Sequence, residues 1–175
     1  MIREPRPPLT RSVWLVAALP VVLQLVTAGR YGIFRDELYY LMCADHPAWG
    51  YVDHPPLAMV MLGGWTAVFG DSVLSLRILP ALLNGLVAVG AGLVARELRG
   101  RGAAQALAAA LAGFLPGVLA LGGFYSMNPF DVAFWIAAAL VVCRVLDPDT
   151  DRRWWWMLGL VVGLGLLNKY SMLFG

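Results

Sequence analysis

Val13-Trp14-Leu15-Val16-Ala17-Ala18-Leu19-Pro20-Val21-Val22-Leu23-Gln24-Leu25-Val26-Thr27-Ala28 runs without a charged side chain and gives way at once to Gly29-Arg30-Tyr31-Gly32-Ile33-Phe34-Arg35-Asp36-Glu37. A hydrocarbon core roughly 30 Å thick takes about 20 helical residues at about 1.5 Å each, so such a run reads as a membrane helix. Arg3, Arg6 and Arg11 precede it as they would a secretory signal, yet no small-x-small cleavage site leads into a soluble chain. The expectation is a retained helix that anchors the N-terminus. Outward from it, the stretches 78–95, 103–124, 130–146 and 154–174 are similarly apolar, which makes five expected spans. Residues 57–69 are apolar too, but between Pro56 and Gly70-Asp71 they are too short to cross and are expected to lie along the interface.

Composition agrees. Hydrophobic residues make up 60% and charged residues 14%, with mean hydropathy +0.71, where a soluble domain carries roughly a quarter charged residues. A net charge of +2, with arginines set beside apolar segments, argues against a nucleic-acid partner and for topology signals. Cys43 and Cys143 give neither a disulfide framework nor zinc spacing.

Sidedness follows from the basic residues, which collect at cytoplasmic helix ends. With the N-terminus inside, Arg3, Arg6, Arg11, Arg96, Arg99, Arg101, Arg144, Arg152 and Arg153 fall on the cytoplasmic side, and Arg30, Arg35, Arg77 and Lys169 fall outside. Asp36, Glu37, Asp45, Asp53, Asp71 and Asp131 also fall outside. A sixth span at 57–69 would carry Arg96, Arg99 and Arg101 to the outer face, against the rule. The expected fold is therefore an all-α integral membrane bundle of about five spans, with an extracytoplasmic loop over residues 30–70 that carries short interfacial helices. The last apolar stretch meets Leu173-Phe174-Gly175 without a polar flank, from which a fragment of a longer protein is expected. Gly85, Gly90, Gly92, Gly159, Gly163 and Gly165 are spaced for close helix packing.

The candidate chemistry lies in the polar residues of the outer side. Asp36 and Glu37 open a short helix over 36–44; the helix dipole accounts for one acidic residue in a first turn more readily than for two. Leu38, Leu41 and Met42 share one face, which directs Asp36 and Tyr40 elsewhere, and a carboxylate held at the bilayer surface suits a general base. In Tyr51-Val52-Asp53-His54-Pro55-Pro56 the two prolines keep the backbone extended and present Asp53 and His54. A histidine there suits a phosphate partner; an ordinary polar turn is the alternative, and a metal-ligand role has no diagnostic spacing. Asp131 opens an otherwise apolar span, where an ionisable group is costly enough to be a functional candidate. The competing reading has Asn128 as N-cap with Pro129 at the first helical position. Lys169, inside the fifth expected span near its outer end, reads either as a snorkelling lysine or as a charge facing the acidic loop. Trp154-Trp155-Trp156 reads as an interfacial belt.

Taken in order, the Asp36-Glu37 pair after the first span, Gly50-Tyr51-Val52-Asp53-His54-Pro55-Pro56-Leu57, Phe69-Gly70-Asp71-Ser72 with Leu76-Arg77 following, Asn128-Pro129-Phe130-Asp131 and Gly163-Leu164-Gly165-Leu166-Leu167-Asn168-Lys169-Tyr170 resemble the GT-C glycosyltransferases. The pattern is most similar to the protein O-mannosyltransferase and aminoarabinose transferase branch, and it runs from about Arg30 to the end of the chain. The resemblance implies a many-helix membrane enzyme that moves a sugar from a polyprenyl-phosphate carrier to a protein, lipid or glycan acceptor on the extracytoplasmic side. It implies catalytic roles for Asp36, Glu37 and Asp131, with Asn128 a rival for Asp131's place. It further implies donor-phosphate or substrate contacts from Asp53, His54, Lys169, Tyr51 and Asn128. No cofactor is required on this reading. Chain 1–175 would be the N-terminal part of such a domain, in contact with membrane lipids. A transporter or flippase fragment would need polar helix interiors, yet 78–95 and 103–124 offer only Asn84 and Gln105. A non-catalytic polyprenyl-phosphate-binding module would keep His54 and Lys169 without needing Asp36.

Overall fold

The computed structural model describes residues 5–174; Arg3 and Gly175 lie outside them. Eight α-helices follow one another among these residues: α1 (Arg11–Thr27), α2 (Arg35–Asp45), α3 (Leu57–Phe69), α4 (Val73–Glu97), α5 (Gly102–Phe114), α6 (Pro116–Gly122), α7 (Met127–Val145) and α8 (Arg153–Asn168). Short 3-10 turns extend α1 at Ala28–Arg30 and follow α8 at Tyr170–Leu173. The architecture is a helical membrane bundle, as the apolar periodicity requires.

Three helical stretches, Arg11–Arg30, Val73–Glu97 and Met127–Val145, are long and apolar enough to cross a bilayer. The expected span over 103–124 is bent by 60° between α5 and α6. Pro116 lacks the backbone donor and pushes Leu115 into an extended conformation (φ −57°, ψ 125°), so the apolar run is a bent pair of short helices rather than one straight span. The expected span over 154–174 is also interrupted. Its helix stops at Asn168, and Lys169 is extended (φ −158°, ψ 140°), so Lys169 stands at a break rather than inside a span.

The central α4 packs against α1, α5 and α7. Close approach depends on glycine at two of these seams. A Cβ on Gly85 would sit 2.7 Å from Val21 Cγ2, and one on Gly90 would sit 2.9 Å from Ile136 Cγ1. Gly92 and Gly165 are similarly tight, against Val13 and Met172, whereas Gly159 and Gly163 have nothing within 4 Å and serve no packing among the described residues.

Local chemistry sets the ends of the helices that carry the polar loop. Ser72 caps α4 by accepting from Ser75 N–H at 3.2 Å, so α4 begins at Val73 and includes Arg77 in its early turns. Ser126, not Asn128, caps α7, accepting from Asn128 N–H at 3.2 Å. Asn128 and Pro129 then fall inside the first turn, where a missing proline donor costs nothing. The short helices α2 and α3 pack on one another. Their buried residues Tyr40, Cys43, Ala58, Met59 and Leu62 form one core with Leu76, Tyr125 and Phe130, which seats the loop on the bundle end where α4 and α7 begin.

Candidate functional site

Glu37 and Arg77 fix the floor of the loop. Glu37 is 1% exposed and Arg77 4%, and the two form an ion pair. Glu37 Oε2 accepts from Phe34 N–H at 2.7 Å, the half of a capping box that a phenylalanine N-cap permits. Its Oε1 accepts from Arg77 and from Tyr125 N–H at 2.8 Å, while Arg77 also donates to Gly32 O at 2.9 Å. One carboxylate therefore ties the start of α2 to α4 and to the segment before α7. Tyr125, fully buried, extends the tie by donating to Ala58 O at 2.6 Å, and burial pushes its hydroxyl far above its ordinary range.

Helical periodicity turns the neighbour of Glu37 the other way. Asp36 opens onto a cleft of about 400 Å³ lined with Asp53, His54, Tyr39, Tyr40 and Met127. Asp36 pairs with Arg35 Nε at 3.1 Å, and both side chains reach solvent. The cleft thus gathers Asp36, Asp53 and His54 from two separate stretches. Asp36 and Tyr40 do share the direction expected of them, and Leu38 and Met42 are left exposed on another face.

His54 is buried among rings, with centroid separations of 5.1 Å to Tyr51, 5.3 Å to Tyr40 and 5.8 Å to Tyr39. Its Nδ1 lies 3.1 Å from Pro55 O. A carbonyl only accepts, so Nδ1 carries the proton. Nε2 is buried without a hydrogen-bond partner. Tyr51 is held in turn by donating to Cys43 O at 2.8 Å, and its backbone N–H donates to His54 O at 3.0 Å. Burial raises the Tyr40 hydroxyl above its ordinary value, opposed by the Met127 backbone, and Tyr39 is raised as well.

Asn128, Asp131 and Lys169 form a second group beside the first. Lys169 Nζ donates to Asn128 Oδ1 at 2.9 Å and lies 3.6 Å from Asp131 Oδ2. Ser171 donates to the other oxygen of Asp131, which lies inside α7. Asn168, wholly buried, donates from Nδ2 to Met127 O at 2.9 Å. Met127 also lines the first cleft, which makes the N-terminus of α7 the shared wall of both groups. The break after Asn168 brings Lys169 there, since an unbroken helix would carry it past.

Sequence reasoning counted Arg77 in the family pattern without giving it a role, and did not single out Tyr125 or Ser171. For Arg77 the signal was present, since an arginine beside an apolar span requires a partner. Ser171 had no signal. Among the described residues, no group of three His, Cys, Asp or Glu side chains is arranged to hold a metal ion.

The family described as dolichyl-phosphate-mannose-protein mannosyltransferase matches residues 53–174. A polyprenol-phosphate-mannose–protein mannosyltransferase of Corynebacterium glutamicum is 29% identical over 155 residues, covering 74% of this chain and 29% of the relative. An undecaprenyl phosphate-alpha-4-amino-4-deoxy-L-arabinose arabinosyl transferase of Pseudomonas fluorescens is 33% identical over 124 residues, covering 68% of this chain and 22% of the relative. The chain therefore spans less than a third of the length of either. No solved structure matches.

Proposed function

Since the chain belongs to the dolichyl-phosphate-mannose-protein mannosyltransferase family, we propose that it carries the carboxylate-bearing half of a membrane glycosyltransferase site that moves a sugar from a polyprenyl-phosphate donor to an acceptor hydroxyl or amine. The observation that carries this reading is the cleft that gathers Asp36, Asp53 and His54. The relatives act on a mannose and an aminoarabinose carried on polyprenyl phosphates, as their names state. The first of those names states a protein acceptor; a protein, lipid or glycan acceptor belongs to the proposal.

In the proposed reaction the acceptor oxygen or nitrogen attacks the anomeric carbon from the side opposite the carrier. The bond between that carbon and the phosphate oxygen breaks, and the carrier leaves as polyprenyl phosphate. Asp36, solvent-reaching and on the open face of α2, takes the acceptor proton. General-base help of this kind contributes about 10²- to 10⁴-fold. His54 serves the leaving phosphate. Its Nδ1 is already spent on Pro55 O, so the unpartnered Nε2 is the atom available to donate once the ring is protonated. Lys169, held by Asn128 and Asp131, contributes positive charge next to the same wall. Tyr51 acts through His54 by packing against it, and Asp53 shapes the cleft at its side. Glu37 acts through placement, because each of its oxygens is committed to holding α2, α4 and Tyr125.

The outer-side orientation belongs to the same proposal and rests on the arginine distribution. One displacement inverts the anomeric centre, so analysis of the product's anomeric configuration is a check on the mechanism. The functional test is a panel of polyprenyl-phosphate sugars presented to membranes that contain the full-length parent protein. Transfer of label from at least one donor is expected. Donor binding across the panel with no transfer would favour a lipid-binding module instead.

A further inference from the structure

The bend of 60° between α5 and α6 leaves α6 as a helix of only seven residues, Pro116–Gly122. The last four carbonyls of a helix have no partner inside it. At membrane depth such groups are met by neighbouring helices or by ordered water, because lipid tails supply no donor. Two of the four in α6 are accounted for. Leu119 O accepts from Gln24 Nε2 of α1 at 2.9 Å, and Ala120 O accepts from Gly123 N–H at 3.1 Å. Gly122 makes room for the first of these bonds, since a Cβ there would collide with the Gln24 amide. Among the described residues, Leu121 O and Gly122 O receive no backbone donor from outside α6.

Those same two residues, with Val118, line a small cavity whose other walls are Asn84 and Val87 of α4 and Pro129 and Val132 of α7. Asn84 stands near the middle of α4, a helix long and apolar enough to cross a bilayer, and it is 2% exposed. Both its Nδ2 and its Oδ1 are buried without a hydrogen-bond partner. An amide buried in this way costs free energy unless something pairs with it, and every other side chain on the cavity wall is apolar. The free space is about 10 Å³. One buried water needs about 10 to 15 Å³ and two to four polar partners, whereas a cavity with apolar walls alone stays dry. Asn84 and the two carbonyls supply the partners, and the volume admits nothing larger.

We propose that this cavity is a binding site for one ordered water that joins Asn84 to the end of α6. The water accepts from Asn84 Nδ2 and shares its two protons among Asn84 Oδ1, Leu121 O and Gly122 O. It completes the hydrogen bonding of the bent segment and ties α6 to α4, as Gln24 ties α6 to α1. The chain runs on from Gly122 to Tyr125, whose N–H is one of the donors to Glu37, so the bridge also steadies the segment that the floor of the cleft depends on. The inference is independent of the sugar-transfer reading, because it uses none of the residues that line the cleft.

The test is X-ray hydroxyl-radical footprinting of the full-length parent protein in detergent micelles, in which radicals formed from a bound water oxidise the side chains beside it even where bulk solvent does not reach. Val87 and Pro129 are buried and line the cavity. Val13 and Pro20, buried on α1 and not part of its wall, are controls matched in side-chain chemistry. Val87 and Pro129 are expected to be labelled several-fold more than Val13 and Pro20. Asn84→Leu keeps the size of the side chain and removes both polar atoms, so labelling of Val87 and Pro129 should fall to the control level while that of Val13 and Pro20 stays unchanged. Labelling of Val87 and Pro129 at the control level in the wild type would overturn the proposal, and this comparison stands even if the variant does not fold. Undiminished labelling in folded Asn84→Leu would also overturn it, because the water would then be held without Asn84.

Discussion

Replacing Glu37 by Gln removes one negative charge without changing the size of the side chain, and its consequence follows from the three donors that converge there. Phe34 N–H at 2.7 Å needs an acceptor on one terminal atom, and Tyr125 N–H at 2.8 Å together with Arg77 needs one on the other. Glutamine offers one oxygen. Its better orientation keeps the oxygen on the Arg77 and Tyr125 side and sets its NH₂ against Phe34 N–H, which forfeits a bond and leaves a buried donor facing a donor, about 1 to 3 kcal/mol. Arg77, itself buried, then keeps its charge without a counterion, and breaking a buried pair from one side costs about 3 to 5 kcal/mol. The two costs overlap because both describe the same lost charge, so the expected destabilisation is about 3 to 5 kcal/mol. Arg77→Met should cost a similar amount by stranding Glu37. The double variant Glu37→Gln/Arg77→Met should cost clearly less than the two singles added, since neither charge is then left alone. The assay is reversible unfolding of the chain in mixed detergent micelles, with the wild type and three variants measured side by side. A Glu37→Gln effect below about 1 kcal/mol, or strict additivity in the double variant, would show that the latch does not hold the loop.

Other outcomes are expected from the same geometry. His54→Phe preserves the ring packing against Tyr39, Tyr40 and Tyr51 but removes both the Nδ1 bond to Pro55 O and the buried Nε2, so donor affinity should fall; equal donor binding would remove His54 from the phosphate site. Gly85→Leu forces a side chain into the 2.7 Å approach of Val21 and should destabilise by about 1 to 3 kcal/mol, read from the same unfolding assay. Tyr40 and Tyr125 have hydroxyls raised above the ordinary value of 10.0. The folded state therefore holds these protons more tightly than the unfolded chain, so their contribution is complete below pH 10 and is lost as pH rises beyond it. Unfolding midpoints between pH 9 and 11 should decline, and Tyr40→Phe should flatten part of that decline.

Three of the five expected spans were legible as single helices because hydrophobic run length reports directly on bilayer thickness, and the shortness of residues 57–69 was enough to keep α3 out of the count. Breaks inside apolar runs were harder to see. Pro116 carried a local signal, yet the stop after Asn168 has no proline or charge run to announce it. It becomes intelligible only when Asn168 Nδ2 is seen bonding Met127 O. Of the site, the outward turn of Asp36 was readable from helical spacing and the presentation of Asp53 from the two prolines, but the same prolines were expected to present His54, which is instead buried among Tyr39, Tyr40 and Tyr51 because the three rings close over it. The inward turn of Glu37 was not readable, because adjacent carboxylates in a first turn differ only by their angle about the helix axis. Tertiary contacts with Arg77 and Tyr125 decide which of them turns inward. Asn128 misled as a cap because Asn-Pro fits an N-cap followed by proline, whereas Ser126 two residues earlier takes that place.

The most direct test compares Asp36→Asn with wild type in the full-length parent protein, at matched expression, with sugar transfer and donor binding measured on the same membranes. Asparagine keeps the shape of the side chain and removes its ability to take a proton, so transfer should fall by about 10²- to 10⁴-fold while donor binding stays within a few fold. Transfer by Asp36→Asn at the wild-type rate would mean that the cleft on α2 is not where the acceptor is deprotonated.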